Sequence, residues 1–293
     1  MTKAIHLFWQ IPALTLSLFM CFVIGGLLSG LSSSAASEAS PEAMEAAAQT
    51  AGLLLLACLM TAVVIAFPIR YARWGGLKLT LAIFLLYFGI STFMTQIESI
   101  FFNGALQIPS NMVWQIILSG LLTAILFSPL AVWIMGKMRN PSLAATAIPI
   151  NRLVKPGLVI AVLYLIIYLL FGYFLAWQSP AVRTFYTGST DILPFGEHML
   201  DLLKHNPTLL LFQLFRGILW GALAWLVMRM TNGNWLLKAV FIGLLFGIMA
   251  TGGLLLPNPF MPAEVRWAHF WETSTSNCLF GISCGYVLRP LDS

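Results

Sequence analysis

Long apolar runs separated by short polar segments form the dominant pattern of this chain. A helix needs about 20 apolar residues to cross a hydrocarbon core of roughly 30 Å. Eight runs are long enough, near residues 8–30, 51–68, 79–101, 112–136, 157–178, 208–229, 236–256 and 267–288, and the last is the weakest. We therefore predict an all-α, polytopic membrane protein with about eight transmembrane helices.

The first run has some features of a secretory signal, because Lys3 precedes it and small residues follow it. Its apolar stretch from Ile11 to Leu31 is about 21 residues long. The apolar core of a signal peptide usually has about 7–15 residues. We therefore expect a first span that is retained in the mature protein.

The composition agrees with a membrane protein that has no soluble domain. Hydrophobic residues make up 59% of the 293 residues and charged residues only 9%, whereas about 25% of a soluble domain is charged. We predict a single integral membrane domain over 1–293, with the lipid bilayer as its main partner.

The positions of the basic residues predict the orientation, because Lys and Arg in short loops are retained on the cytoplasmic side. If the N-terminus is inside, 11 of the 15 basic residues lie on the inner side: Lys3, Arg70, Arg73, Lys78, Lys137, Arg139, Arg152, Lys155, Arg229, Lys238 and Arg289. We predict that both termini are cytoplasmic and that the protein lies in a bacterial-type inner membrane. The excess of basic residues is then explained by the membrane orientation, and it does not indicate a nucleic-acid partner.

The second long outer loop contains a segment that is typical of an interfacial helix. Near 195–205, one face of a helix would carry charge, and four apolar residues could lie on the membrane: Met199, Leu200, Leu202 and Leu203. An amphipathic helix of this kind lies in the plane of the membrane surface. We predict a short amphipathic helix there, on the outer face.

Glycine pairs at four-residue spacing predict where helices approach each other closely. Such pairs remove side chains from a helix face, so two backbones can come near. The pairs are Gly26 with Gly30, Gly243 with Gly247, and Gly281 with Gly285. The last two predict tight packing between the seventh and eighth runs.

Polar side chains in the apolar runs are the main candidates for function. Ionisable groups inside a membrane are costly and usually mark functional sites. The predicted topology places one set of polar residues in the outer half of the third, fourth, sixth and eighth runs: Gln96, Glu98, Gln115, Gln213, Arg216, His269, Glu272 and Asn277. We predict that they line an outward-facing pocket for a small molecule or ion, and that Arg216 pairs with Glu98 or Glu272.

Two groups have the spacing of metal ligands. His269 and Glu272 stand at i and i+3, and Glu98 could supply a third ligand for a divalent metal. His198, Asp201 and His205 stand at i, i+3 and i+7. The alternatives are an aromatic belt with a helix cap for the first group and a solvated helix face for the second.

Three functions are compatible with this sequence. The first is a transporter or permease for a small polar or anionic solute, in which a histidine would respond to physiological pH. The second is an intramembrane metal-assisted hydrolase using His269, Glu272 and Glu98. The third is a structural or assembly subunit. The sequence contains no common zinc-protease, serine-hydrolase, phosphate-loop or dinucleotide-binding motif.

Overall fold

The computed structural model describes residues 2–31, 41–141 and 148–291, with side chains for 9–31, 45–141 and 148–291. These residues form helices and no regular β-strand. The α-helices are α1 (Thr2–Leu28), α2 (Pro41–Arg70), α3 (Gly76–Phe88), α4 (Met94–Phe101), α5 (Asn103–Leu106), α6 (Ser110–Ile134), α7 (Ile150–Phe174), α8 (Pro180–Thr187), α9 (Phe195–His205), α10 (Pro207–Met230), α11 (Trp235–Leu244) and α12 (Ala263–Leu288).

Seven helical segments within the described residues are long and apolar enough to cross a membrane. They are Trp9–Leu28, Glu45–Arg70, Gly76–Phe101, Ser110–Ile134, Ile150–Gln178, Pro207–Met230 and Trp235–Leu255. Many of their large apolar side chains are exposed, for example Leu16 and Leu27 on α1, and in a membrane protein such side chains contact lipid. The prediction of an all-helical, multi-pass membrane protein is confirmed.

Two of these segments contain a π-helical turn. Gly89–Phe93 joins α3 to α4, and Leu245–Met249 continues α11. A single π turn inside an α-helix is frequently found at functional sites, because it shifts the side chains that follow it around the helix axis. In the first segment the residues that follow the turn include Gln96 and Glu98.

The chain separates into two compact units. Unit 1 comprises Met1–Ala144, Met230–Gly233 and Ile248–Phe260. Unit 2 comprises Ala145–Arg229, Asn234–Gly247 and Met261–Ser293.

In unit 1, α1 packs along α6 and α2, and α3 packs along α6. α1 lies close to α6 at Gly25, where a Cβ would lie 2.6 Å from Oγ1 of Thr123 and 2.7 Å from the carbonyl oxygen of Ser119. The predicted contact at Gly26 and Gly30 is therefore wrong. Gly26 has open space around it, and Gly30 lies just beyond the helix with a left-handed φ of 76°.

In unit 2, α12 packs along α11 and α7. A Cβ at Gly243 would lie 2.8 Å from the carbonyl oxygen of Cys278, and one at Gly247 would lie 2.8 Å from that of Ser274. A Cβ at Gly281 would lie 2.7 Å from the Cα of Gly243. The predicted tight packing of the two glycine pairs is confirmed. The order of the contacts shows that α11 and α12 run antiparallel.

The eighth apolar run folds into α12, but α12 is not among the seven apolar segments. It is 26 residues long, which gives a length of about 39 Å at 1.5 Å per residue. Its N-terminal half carries charged and hydroxyl side chains that lower its hydropathy, including Glu264, Arg266 and Glu272. Length alone therefore does not distinguish it from the spanning helices.

The predicted amphipathic helix is present as α9. Leu200 and Leu203 are exposed on one side. On another side, Phe195 and His198 pack on the ring of Tyr173 with centroid distances of 5.1 and 5.4 Å. The helix thus rests against unit 2 through one face and leaves two leucines uncovered.

Candidate functional site

The centre of the candidate site is the carboxylate of Glu272, which is buried on α12. Pro262 caps the start of this helix, and the regular turns that follow place His269, Glu272 and Ser276 on one face. Thr273 donates a hydrogen bond of 2.9 Å to Oε2 of Glu272, and the Ser276 hydroxyl lies 3.5 Å from Oε1. Nδ1 of His269 is 3.6 Å from Oε2, which is within ion-pair range but longer than a good hydrogen bond.

The other nitrogen of His269 contacts a second helix. Nε2 lies 3.2 Å from the hydroxyl oxygen of Tyr186 on α8, and the two rings meet edge to face with centroids 5.8 Å apart. The imidazole therefore stands between a phenol and a carboxylate. Tyr186, His269 and Glu272 form a row of three groups that can each gain or lose a proton, and we call this row the proton chain.

A buried arginine holds α8 in place for this contact. Arg183 is buried, and its guanidinium donates to the carbonyl oxygen of Trp177 at 2.6 Å and to that of Thr190 at 2.8 Å. These carbonyls precede and follow α8, and Gly188 ends the helix with a left-handed φ of 73°. Arg183 thereby fixes both ends of the short helix that carries Tyr186.

A second buried polar group in unit 2 lies on α10. Arg216 is buried and donates a 3.0 Å hydrogen bond to Oε1 of Gln213, one helical turn earlier. Its guanidinium carbon lies 5.5 Å from the centre of the Tyr164 ring and 5.7 Å from that of Phe212, distances at which an aromatic face attracts a cation.

A close approach of two helices creates this aromatic setting. A Cβ at Gly217 would lie 2.7 Å from the Cα of Ala161 and 2.9 Å from Cβ of Tyr164. One turn later, a Cβ at Gly221 would lie 3.1 Å from Ile160. Gly217 and Gly221 thus let α10 lie directly against α7, which brings the neighbouring Arg216 to Tyr164.

Two amide side chains in unit 2 are buried, and Gln213 uses only its oxygen for a side-chain hydrogen bond. Gln213 is fully buried, and its Nε2 donor has no hydrogen-bond partner among the described residues. Asn277 is also buried, and no hydrogen bond to its side chain is found in the described ranges. Because an unmet buried donor is costly, Nε2 of Gln213 calls for an explanation such as a bound polar molecule.

Arg216 does not pair with Glu272. Among the described residues, the hydrogen bonds and the ion pair of the Glu272 carboxylate all involve groups of its own helix. Tyr164, which contacts Arg216, packs on Phe280 at a centroid distance of 4.9 Å. Phe280 lies eight residues beyond Glu272, a rise of about 12 Å along α12. This alternative is wrong, and the pairing of Arg216 with Glu98 stays a prediction from the sequence.

The remaining predicted pocket residues lie in unit 1. Gln96, Glu98 and Gln115 are all partly buried, and Oε1 of Gln96 has no hydrogen-bond partner among the described residues. The neighbouring hydroxyls of Thr95 and Ser99 donate to backbone carbonyls of their own helix. The eight predicted residues are therefore divided, with three in unit 1 and five in unit 2.

The two predicted metal sites stay predictions from the sequence. In the described part of the chain, no three His, Cys, Asp or Glu side chains form a group that could hold a metal ion. In the second set, Nδ1 of His205 lies 2.9 Å from Asp201. His198 instead packs between the rings of Tyr173 and Trp177. This packing buries apolar surface of all three rings that a solvated helix face would leave exposed.

Comparison with other proteins gives no relative for this chain: no family model, no curated protein and no solved structure matches it. The site must therefore be interpreted from its own geometry.

Several functional residues were not found from the sequence. Tyr186 and Arg183 lie in a short segment that carries no apolar run, and Tyr164 lies within an apolar run where nothing in the sequence distinguishes it. The spacing of Gly217 and Gly221 was a usable signal, because it repeats the four-residue pattern that the chain shows elsewhere.

Proposed function

We propose that this chain is a transporter of a small polar or anionic solute, coupled to protons, in a bacterial-type inner membrane. The observation that carries the proposal is the fully buried Nε2 donor of Gln213 beside the buried guanidinium of Arg216. In a low-dielectric interior this donor needs an acceptor. An anionic oxygen of a solute would accept hydrogen bonds from both groups.

The proton chain supplies the second half of the proposal. An imidazole placed between a phenol and a buried carboxylate can take up a proton on one side and release it on the other. Protonation of His269 would also strengthen its contact with Glu272. We infer that the proton chain binds the coupling proton while Gln213 and Arg216 bind the solute.

We further infer eight crossings with both termini in the cytoplasm. The packing of α12 antiparallel to α11 supports the eighth crossing, because Ser274, Cys278 and Gly281 lie beside residues of a segment that is apolar enough to span. The distribution of Lys and Arg supports the orientation. Green fluorescent protein fused to the C-terminus should fluoresce, since it matures in the cytoplasm; a dark fusion at normal expression would contradict this orientation.

The transport proposal can be tested in proteoliposomes that contain a trapped pH-sensitive dye. The solutes are a panel of small carboxylates and amino acids, added one at a time. At least one should drive proton movement in wild-type vesicles. Arg216→Gln should abolish this movement, whereas Arg229→Gln, a change near the end of the same helix, should not. Proton movement that is equal in both variants would refute the assignment.

The two alternative functions lead to different results. A structural subunit predicts that Arg216→Gln lowers thermal stability and that no solute moves protons in any variant. A metal-assisted hydrolase predicts that the purified protein contains a stoichiometric amount of metal and that chelators abolish its activity.

A further inference from the structure

A cavity in unit 1 combines two cations with an exposed aromatic rim. It has a volume of about 460 Å³ and is lined by Arg70, Tyr71, Met135 and Lys137. It lies where the spanning segments Glu45–Arg70 and Ser110–Ile134 end, the depth at which lipid headgroups are found. Its volume is within the range of small-molecule sites, roughly 300–1,000 Å³.

The lysine in this cavity has little to neutralise it. Lys137 is half-buried, and its Nζ donates to the carbonyl oxygen of Ala72 at 3.2 Å. That neutral acceptor leaves two of the three N–H groups of the ammonium for other partners. Burial lowers the pKa of Lys137, and the nearby positive charge of Arg70 lowers it further. Both effects disfavour the charged form of the lysine.

The described acids of unit 1 are far along their helices from this cavity. Glu45 precedes Arg70 by 25 residues on α2, a rise of about 37 Å. Glu98 is separated by a similar length from Gly76, where α3 begins near the cavity. Arg73, Lys78 and Arg139 add positive charge to the same end of unit 1. The local field therefore favours an anion.

The rim of the cavity resembles the interfacial zone of a membrane protein. Tyr71, Leu77 and Trp133 are exposed around this end, and Lys78 lies 4.3 Å from the centre of the Trp74 ring. Aromatic residues and lysines are enriched at headgroup level. Clusters of basic residues at this depth attract the phosphate of anionic lipids.

We propose that this cavity binds the phosphate group of an anionic phospholipid. Arg70 would grip the phosphate oxygens with its forked donors, Lys137 would add a point charge, and the Tyr71 hydroxyl would donate a further hydrogen bond. The exposed apolar side chains at the rim would contact the acyl chains. A free phosphate ion could not use these apolar side chains, and so they favour a lipid.

The test compares lipids on the purified full-length protein in neutral detergent, by native mass spectrometry and by titration with short-chain lipids. Phosphatidylglycerol should bind more tightly than phosphatidylcholine, and Arg70→Gln and Lys137→Gln should each weaken it about fivefold, as expected for one basic residue near the surface. Lys137→Arg should restore binding. Arg139→Gln, which removes an exposed charge outside the cavity, should have less than about a twofold effect.

Three results would overturn the proposal. The first is equal affinity for the two lipids. The second is an equal loss in Arg139→Gln and Lys137→Gln, which would indicate a diffuse charge effect. The third is tight binding of inorganic phosphate that the lipid does not displace. Melting temperatures recorded for each variant show whether a loss of binding reflects unfolding, and Lys137→Arg remains informative even if Lys137→Gln fails to fold.

Discussion

Nε2 of His269 lies 3.2 Å from the hydroxyl oxygen of Tyr186. The two residues are 83 positions apart in the chain, and Arg183 holds α8 in place for this contact. Nδ1 of the same imidazole lies 3.6 Å from the buried carboxylate of Glu272. A proton can therefore be passed between groups on α8 and α12, which is the basis of the proposed coupling.

Tyr186→Phe tests the proton chain with the smallest change. The ring and its edge-to-face contact stay, and only the hydroxyl is lost. We expect solute-driven proton movement to fall by about tenfold or more, in line with the loss of one positioned proton-transfer group, with an unchanged melting temperature. Tyr286→Phe, an exposed tyrosine on α12, is the matched control. Equal activity in both variants would count against a role for Tyr186.

Glu272→Gln separates a functional carboxylate from a structural one. The amide oxygen can still accept the hydrogen bond from Thr273, and the amide NH2 can donate to the hydroxyl oxygen of Ser276, so the free energy of unfolding should change by less than about 1.5 kcal/mol. Proton coupling should be lost because the amide does not titrate. Glu264→Gln, an exposed change in the first turn of the same helix, should keep it. A large loss of stability with normal coupling would favour the structural alternative.

Gly217→Ala tests the close approach that places Arg216. The new methyl group would collide with the backbone of Ala161, so α10 must move away from α7. We expect a destabilisation of about 1–3 kcal/mol, measured by thermal or denaturant unfolding in detergent. Gly172→Ala on α7 has open space around it and should be neutral or slightly stabilising. Similar effects of the two changes would contradict the packing described.

The ring sandwich around His198 predicts a pH dependence of stability. Burial lowers the pKa of His198, and the smaller effect of Asp201 raises it. The unfolded chain therefore takes up a proton at higher pH than the folded protein, so stability falls as the pH drops through the ordinary histidine value near 6.5. The melting temperature of wild type should decrease on acidification more than that of His198→Gln. An equal or opposite slope would show that His198 makes no such contribution.

The fold was largely predictable from the sequence, because the bilayer imposes a long apolar run on each spanning helix. The seven apolar segments and α9 lie where the pattern placed them. The sequence pattern predicted that α1 contacts its neighbour at Gly26, but the contact with α6 is at Gly25. The two glycines are adjacent, and a small-residue pattern does not say which of them faces the neighbouring helix.

The candidate site was predictable only in part. The buried Glu272, Gln213 and Arg216 were found because polar groups stand out in apolar runs. The contact of Tyr186 with His269 depends on a loop fold that Arg183 stabilises through backbone carbonyls, and no spacing in the sequence encodes it. The predicted ion pair of Arg216 with Glu272 does not form. Arg216 contacts Tyr164, which packs on Phe280, and Glu272 lies about two turns of α12 away from Phe280.

The most direct test of the central claim is solute binding and proton movement in Gln213→Leu, which removes the unmet buried donor but keeps the size of the side chain nearly constant. For a solute identified with wild-type protein, we predict that affinity falls by about tenfold, the cost of a hydrogen bond to a charged group. The melting temperature should change little, because removal of the unmet donor offsets the loss of the oxygen that accepts a hydrogen bond from Arg216. Unchanged affinity for that solute, with Gln213→Leu folded and stable, would contradict the proposed solute site.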